Sequence, residues 1–227
     1  MRWAAVIPAA GAGARMGGVE KQFLDLGGRP VLVRTLEIFE FCPKIATVWV
    51  IVAPNRVRWA RDELLPRYGL TKLRGVVEGG PERQVSVLRG LQAIGTAADG
   101  VVIHDAARPL LPPEVLERAL EEAERVPAVV VGVPVPDTVK VVRDGVIAHT
   151  PDRETLWAAQ TPQIFRRDLI LEAHQRAAED GYQASDDAGL VERLGVAVRM
   201  VEGSPLNRKL TTPDELLWAQ SWLERRG

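Results

Sequence analysis

Short, continuous apolar runs alternate along the chain with segments whose apolar residues recur every three or four positions. The continuous runs predict buried strands at residues 4–8, 47–53, 73–78, 101–104, 128–133 and 196–201. Such runs are typical of parallel strands covered on both faces. The spaced segments predict helices at residues 56–65, 82–94, 114–124, 187–194 and 212–222. This alternation indicates an α/β protein: a single Rossmann-like domain with a mainly parallel, doubly wound sheet.

One segment interrupts the alternation. Pro134 and Pro136 stiffen the chain, and residues 138–142 and 146–149 then predict two strands joined by an Asp144-Gly145 turn. A two-stranded hairpin is marginally stable by itself in water. We therefore predict that residues 134–155 form a protruding arm, inserted in a domain spanning residues 1–227. It packs either on its own domain or on a second subunit, and we favour the second.

Composition excludes several classes of protein. The 227 residues include 29 Lys and Arg against 30 Asp and Glu, a balance that argues against a sequence-independent nucleic-acid binder. The single cysteine, Cys42, excludes an intramolecular disulfide and a multi-cysteine zinc site, and is expected to be a core thiol. Pro8 and Gly11 interrupt the apolar N-terminal stretch, and no apolar run approaches the ~20 residues of a membrane helix. We predict a soluble, cytoplasmic protein that binds neither nucleic acid nor membrane.

The loop after the first predicted strand is rich in small residues. Residues 8–18 read PAAGAGARMGG, and small side chains allow backbone N–H groups to approach a phosphate closely. The dinucleotide-binding fingerprint fails because Met16 occupies its sixth position, and no Walker lysine follows. A plain strand-to-helix turn is the alternative. Arg15 in the loop and Lys21 just after it suit a triphosphate, although Lys21 also fits a solvated surface position.

Six further motifs follow the loop in order. They are Gly79-Gly80-x-x-Arg83-x-x-Ser86-Val87, His104-Asp105-Ala106-Ala107-Arg108-Pro109, Asp137-Thr138-Val139-Lys140, Thr161-Pro162-Gln163-x-Phe165, Ser185-Asp186-Asp187 and Asn207-x-Lys209-x-Thr211. With the loop, they resemble the GT-A-like nucleotidyltransferases, and within them the 2-C-methyl-D-erythritol 4-phosphate cytidylyltransferase family. One departure is that the family usually has a proline before the lysine, after a slightly longer spacer from Arg15. Here Glu20 precedes Lys21.

The resemblance implies that CTP and 2-C-methyl-D-erythritol 4-phosphate are joined to 4-diphosphocytidyl-2-C-methyl-D-erythritol with release of pyrophosphate, in the non-mevalonate isoprenoid pathway. The nucleophile is a substrate phosphate, which is largely ionised at pH 7, so no Ser-His-Asp set or catalytic thiol is needed. Catalysis then consists of aligning two anions and neutralising charge. The family implies Mg²⁺ or another divalent cation, held mainly by the CTP phosphates, and no protein ligand of the metal is assigned.

The resemblance also implies a role for each matching residue. The catalytic group comprises Arg15, Lys21, Arg153 and Lys209. The expected CTP contacts are Pro8, Ala9, Ala10, Gly11, Ala12, Gly13, Gly79, Gly80, Arg83, Ser86, Asp105 and Ala106. The expected contacts to the polyol phosphate are Asp105, Arg108, Thr138, Arg153, Asp186 and Lys209. A homodimer formed through the arm would bring Thr138 and Arg153 to the neighbouring subunit's site.

Simpler interpretations exist for several of these residues. Arg83 fits a solvated helix start, Arg108 fits an ion pair with Asp105, and Asp186 fits an N-cap before residues 187–194. His104 is expected to be structural. At the level of function, the alternatives are a ribitol 5-phosphate cytidylyltransferase and a catalytically inactive nucleotide-binding protein. The broken fingerprint disfavours an NAD(P)-dependent oxidoreductase.

Overall fold

Strands and helices alternate in the computed structural model, which describes residues 1–11 and 20–225. The strands in these residues are β1 (Trp3–Ala9), β2 (Ile45–Val52), β3 (Leu73–Glu78), β4 (Gly100–Ile103), β5 (Ala128–Pro134), β6 (Val141–Arg143), β7 (Val146–His149), β8 (Trp157–Arg166) and β9 (Arg199–Glu202). The helices are α1 (Val31–Phe41), α2 (Val57–Trp59), α3 (Arg83–Ile94), α4 (Pro113–Ala123), α5 (Arg167–Glu179), α6 (Asp187–Arg193) and α7 (Pro213–Glu224).

Seven strands form the central sheet in the order β3-β2-β1-β4-β8-β5-β9. Strands β1 to β4 are parallel to one another, and β5 is parallel to β9. Strand β8 is antiparallel to both β4 and β5. The sheet is therefore mainly parallel, as predicted, with one reversed strand in its interior.

Alternate residues of β1 point into two apolar layers, one on each face of the sheet. Ala5 and Ile7 pack with residues of α1 and α4, whereas Ala4 and Val6 pack with residues of α3, α5 and α6. All four side chains are fully buried. Two-sided burial explains why the strand is apolar without alternation, and it confirms the doubly wound arrangement.

Most predicted elements are present, with boundaries shifted by a few residues. The segment predicted as a helix at 56–65 is less regular, because α2 continues as a π-helical turn (Ala60–Leu64) and a 3₁₀ turn (Leu65–Tyr68). The helix opened by Thr212 has the expected capping box, in which Thr212 and Glu215 bond each other's backbone N–H. Three elements were not predicted: α1, β8 and α5.

No helix in residues 1–11 and 20–225 is both long and apolar enough to cross a bilayer.

The predicted arm is a two-stranded ribbon formed by β6 and β7, outside the central sheet. Asp144 and Gly145 have φ values of 49° and 80°, the left-handed conformation that a tight two-residue hairpin turn requires. Val142, Val146 and Ile147 are each more than half exposed. Within the described residues, the arm therefore presents an exposed apolar surface.

Two tryptophans each cover a glycine on the adjacent strand. Trp3 pairs with Gly100, and Trp49 pairs with Gly75. A Cβ atom added at Gly100 would lie 2.1 Å from the Trp3 ring, and one at Gly75 would lie 2.6 Å from the Trp49 ring. Indole rings thus replace the missing side chains. Gly100 is the first residue of β4, one residue before the predicted start of that strand.

We expect Gly100→Ala to destabilise the protein more than Gly75→Ala. Trp3 is fully buried and has no room to move, whereas Trp49 is half-buried near the edge of the sheet and can shift outward. Overpacking a closed core should lower the free energy of unfolding by about 2 kcal/mol at Gly100. Urea unfolding of both variants provides the measurement. Equal losses at the two sites would contradict this explanation.

Candidate active site

Three loops meet at the carboxyl ends of β1, β3 and β4. A Cβ atom added at Gly79 would lie 2.4 Å from the Cβ of Ala10, so the loops after β1 and β3 are in direct contact. The N–H of Ala106 donates to the carbonyl of Pro8 at 3.4 Å, which places the loop after β4 beside the first loop. Ligands of open α/β sheets bind at this edge. The structure thus brings three of the predicted motifs together.

Gln22 fixes the first loop where it returns to the body of the protein. The residue is 3% exposed, and its Nε2 donates to the carbonyls of Ala9 (2.9 Å) and Gly11 (3.3 Å). Lys21 immediately precedes it, at the start of a 3₁₀ turn (Lys21–Phe23). The first loop and Lys21 are therefore held together by one buried side chain.

Three predicted site residues of this loop, Ala12, Gly13 and Arg15, lie outside the described residues.

Ser86 organises the second loop. Its hydroxyl accepts from the N–H of Gly80 at 3.1 Å and donates to the carbonyl of Glu82 at 3.0 Å. The Ser86 side chain is buried behind the loop, and Gly79 donates its own N–H to the carbonyl of Val52 at 2.7 Å. These bonds hold Gly79 and Gly80 against the first loop.

Asp105 lies at the centre of a cluster of cations. Its Oδ1 is 3.0 Å from Nε of Arg83, and its Oδ2 is 2.9 Å from Nζ of Lys209 and 3.5 Å from Nε of Arg108. The carboxylate itself is only 9% exposed. Burial alone would raise the pKa of Asp105, but Arg83, Lys209 and Arg108 outweigh it and hold this pKa well below its usual range. The side chain is therefore an anion at any pH near neutrality.

Arg83 bridges two buried carboxylates. Besides Asp105, it contacts Oδ2 of Asp187 through Nη1 at 2.8 Å. Burial would lower the pKa of Arg83, but Asp187 and Asp105 together raise it above its ordinary value. The interpretation of Arg83 as a solvated helix start is therefore wrong. Within these contacts, three cations face two carboxylates, so the cluster carries one positive charge in excess.

A chain of hydrogen bonds fixes the backbone of Asp105. Its N–H donates to Oγ1 of Thr161 at 3.0 Å, and Oγ1 of Thr161 lies 3.1 Å from Nδ1 of His104. The other ring nitrogen, Nε2, lies 3.1 Å from the carbonyl of Arg108. Since a carbonyl oxygen only accepts, Nε2 carries the proton and Nδ1 accepts from the Thr161 hydroxyl. His104 is structural, as predicted, and it requires the neutral ring.

Asn207 holds the segment that carries Lys209. Nδ2 of its buried side chain donates to the backbone carbonyl of Thr161 at 2.7 Å, and the backbone carbonyl of Asn207 accepts from Nη1 of Arg108 at 2.6 Å. Beyond Lys209, the N–H of Leu210 donates to the carbonyl of Ala107 at 2.8 Å. The segment is thus fixed to the loop after β4 on both sides of Lys209. Asn207 and Thr161 occur in the motifs, but neither was assigned a role.

Asp186 and Asp187 serve different purposes. Asp186 is the N-cap of α6, where Oδ1 accepts from the N–H of Gly189, and Oδ2 accepts from the Gln163 amide at 2.7 Å. The predicted capping role is confirmed. Asp187 is the residue that joins the charged cluster, through Arg83 and through His174 Nε2 at 3.1 Å. Burial would raise the pKa of Asp187, but Arg83 and His174 lower it.

Thr138 and Arg153 lie in the arm rather than in the Asp105 cluster. Arg153 begins a 3₁₀ turn (Arg153–Thr155) and donates to the carbonyl of Pro136, so it helps to close the base of the arm. Thr138 is exposed. The structure therefore divides the predicted substrate-side residues into two groups within one chain.

The loop that begins at Ala10 and Gly11 and the cationic cluster both lie at the ligand edge of an α/β sheet, an arrangement that suits a nucleotidyltransferase. Comparison with known proteins indicates the same class. The family model for 2-C-methyl-D-erythritol 4-phosphate cytidylyltransferase matches residues 3–225. The chain therefore belongs to this family.

Individual relatives agree along nearly the full length. The protein of this name from Syntrophotalea carbinolica is 50% identical over 224 residues, covering 98% of this chain and 96% of its own. The one from Geotalea uraniireducens is 46% identical, covering 99% and 97%. The crystal structure of the Thermus thermophilus enzyme of the same name has a TM-score of 0.80 at 37% identity, covering 99% of this chain and all of its own.

His104 should make stability depend on pH in a defined window. Burial lowers its pKa from 6.5 to about 4. The unfolded chain therefore takes up the proton first as pH falls from about 6.5 to about 4, and unfolding becomes easier by up to about 3 kcal/mol. His104→Gln retains a donor for the Arg108 carbonyl and should flatten this part of the pH profile.

Urea unfolding at a series of pH values is the measurement. The control is His149→Gln, which removes a histidine from the exposed β7 strand and should leave the profile as in the wild type. Identical slopes for the wild type and His104→Gln would show that His104 is not the group responsible.

Proposed function

We propose that the protein transfers the cytidylyl group of CTP to 2-C-methyl-D-erythritol 4-phosphate, as a soluble enzyme of the non-mevalonate isoprenoid pathway. The observation that carries the proposal is the family match over almost the whole chain. The Asp105 cluster, at the edge where the loop motifs converge, supports it. In this reaction an oxygen of the substrate phosphate attacks the α-phosphorus of CTP, the bond to the β-phosphate breaks, and pyrophosphate leaves with the bonding electron pair.

The proposal assigns CTP to the first two loops. Gly11 is exposed, and a Cβ atom added there would meet nothing within 4 Å, so this end of the first loop leaves room for a ligand at the edge that carries Gly79 and Gly80. Asp105 and Ala106 close the site from the side of β4. The residues proposed to contact CTP are Pro8, Ala9, Ala10, Gly11, Ala12, Gly13, Gly79, Gly80, Arg83, Ser86, Asp105 and Ala106.

Charge neutralisation is proposed as the main catalytic effect. Arg15 and Lys21 would face the α-phosphate and the leaving pyrophosphate, where negative charge is redistributed in the transition state. The excess positive charge of the Asp105 cluster supports a role for Lys209, which is 33% exposed, in holding the polyol phosphate. Arg108 is only 12% exposed and is proposed as a second contact to this phosphate. The Asp105 carboxylate would accept hydrogen bonds from substrate hydroxyls. Asp186 is proposed as a further contact on this side.

A divalent cation, Mg²⁺ or another, is proposed to enter with the CTP phosphates. In the described part of the chain, no three His, Cys, Asp or Glu residues are grouped as metal ligands would be. Both oxygens of Asp105 already face cations. This donor set does not fit a metal cage, so no catalytic step is assigned to a protein-bound metal.

A homodimer is proposed to form through the arm at residues 134–155. The exposed Val142, Val146 and Ile147 support this, because an isolated ribbon with an apolar surface is marginal in water. Thr138 and Arg153 of one subunit would then complete the neighbour's site. A cytoplasmic location is proposed as well, supported by a single, buried cysteine that suits a reducing compartment.

The reaction is tested by measuring pyrophosphate release with CTP and a panel of polyol phosphates, with and without Mg²⁺. We expect release with 2-C-methyl-D-erythritol 4-phosphate, dependence on the cation, and preference for CTP over other nucleoside triphosphates. Fast release only with ribitol 5-phosphate would overturn the assignment of the acceptor. No release with any polyol phosphate would favour an inactive nucleotide-binding protein.

Mixed dimers test whether the arm acts across the subunit boundary. Arg153→Ala and Lys21→Ala homodimers should each be nearly inactive. Mixed as heterodimers they should regain part of the wild-type rate, because one of the two sites then receives both an intact Lys21 and an intact Arg153. Mixing each variant with itself is the control. No recovery, despite subunit exchange confirmed by mass spectrometry, would show that Arg153 acts within its own chain.

A further inference from the structure

Glu20 forms an ion pair with Arg56 at the point where the first loop returns. Both Nε and Nη2 of Arg56 donate to Oε2 of Glu20, and the distance from Nε is 2.8 Å. Glu20 is the residue that stands where the family usually has proline. It directly precedes Lys21, and Arg56 lies in the turn that follows β2. The ion pair thus ties the position before Lys21 to the end of another strand.

Two aromatic rings support Arg56. Its guanidinium carbon lies 5.3 Å from the ring centroid of Trp59 and 5.9 Å from that of Phe23. The two rings meet edge to face, with their centroids 5.0 Å apart. Cation–π contacts of this kind restrict a guanidinium to one position. Phe23 belongs to the same 3₁₀ turn as Lys21, so the contacts reach the chain on both sides of the lysine.

The backbone at Lys21 is consequently fixed from both directions. Glu20 is held by Arg56, and Gln22 is held by the carbonyls of Ala9 and Gly11. The turn is closed by the N–H of Phe23 donating to the carbonyl of Glu20 at 2.9 Å. An ion pair on an open surface stabilises little. Here it is combined with aromatic contacts and a hydrogen-bonded turn, and its main consequence is a defined position.

We propose that Arg56, acting through Glu20 and the aromatic pair Phe23 and Trp59, is a positioning residue for Lys21. The inference rests on the proposed function, in which Lys21 stabilises the transition state. Neither Glu20 nor Arg56 needs to touch a substrate. Their contribution is to restrict the path of the backbone, so that the lysine ammonium is already in place when charge develops at the phosphates.

Kinetics of Arg56→Gln and Glu20→Gln test the proposal. Each should lower kcat/KM for CTP about tenfold, mainly through kcat, because a misplaced lysine loses transition-state stabilisation more than ground-state binding. The two changes together should cost no more than either one. Arg61→Gln is the matched control: it breaks an exposed arginine–carboxylate pair with Asp62, at 2.7 Å, and should leave the kinetics unchanged. Thermal unfolding confirms that each variant is folded.

A second comparison uses Lys21→Gln. If Arg56 acts through Lys21, then Arg56→Gln should cause no further loss in the Lys21→Gln background. A full additional tenfold loss there would overturn the proposal, and so would unchanged kcat/KM for Arg56→Gln alone. Failure of the proposed function has a different signature, since the wild-type protein would then release no pyrophosphate with 2-C-methyl-D-erythritol 4-phosphate.

Hydrogen exchange tests the same restraint without any substrate. Peptides containing residues 20–24 should exchange their amides faster in Arg56→Gln than in the wild type, because the turn that includes Lys21 loses its anchor. The Arg61→Gln control should exchange these amides at the wild-type rate. Unchanged exchange in Arg56→Gln would overturn the proposal irrespective of the catalytic result.

Discussion

A buried carboxylate that must stay ionised organises this molecule. Removing Asp105 from water is unfavourable unless cations compensate its charge. Those cations come from different parts of the chain: Arg83 from the start of α3, Arg108 from the loop after β4, and Lys209 from the segment after β9. The backbone N–H of the same aspartate donates to Oγ1 of Thr161 on β8. Assembly of the ligand edge is therefore coupled to burial of one negative charge.

Charged residues at this edge have two tasks: some hold the elements of the edge together, and others remain available to a ligand. Arg83 is occupied by two carboxylates and is held in place from both sides. Lys209 is exposed to a similar extent, but it contacts Asp105 jointly with two other cations, so more of its charge is available to an incoming anion. The protein as a whole has a formal net charge of -1, yet this cluster is cationic. Local arrangement, rather than total charge, makes the edge suitable for phosphates.

The sequence predicted the parallel strands because two-sided burial leaves an unmistakable apolar run, as in β1. It did not predict β8, where Gln160, Thr161 and Gln163 interrupt the apolar pattern. Their polar groups are satisfied by distant partners such as Asn207, and only the folded chain shows this. The motifs placed Asp105 at the site, but spacing alone did not show that Asp187, and not its neighbour Asp186, joins the charged cluster.

The reversal of β8 has a topological consequence for the arm. Strand β5 runs in the same direction as β1 and β4, so it ends at the ligand edge, and β8, running the opposite way, starts there. The connection between them therefore leaves and re-enters the sheet at the same edge, the ligand edge. A parallel strand in this place would have required a crossover to the opposite edge. One reversed strand thus allows a long hairpin to be inserted at the ligand edge, while β8 still pairs with both β4 and β5.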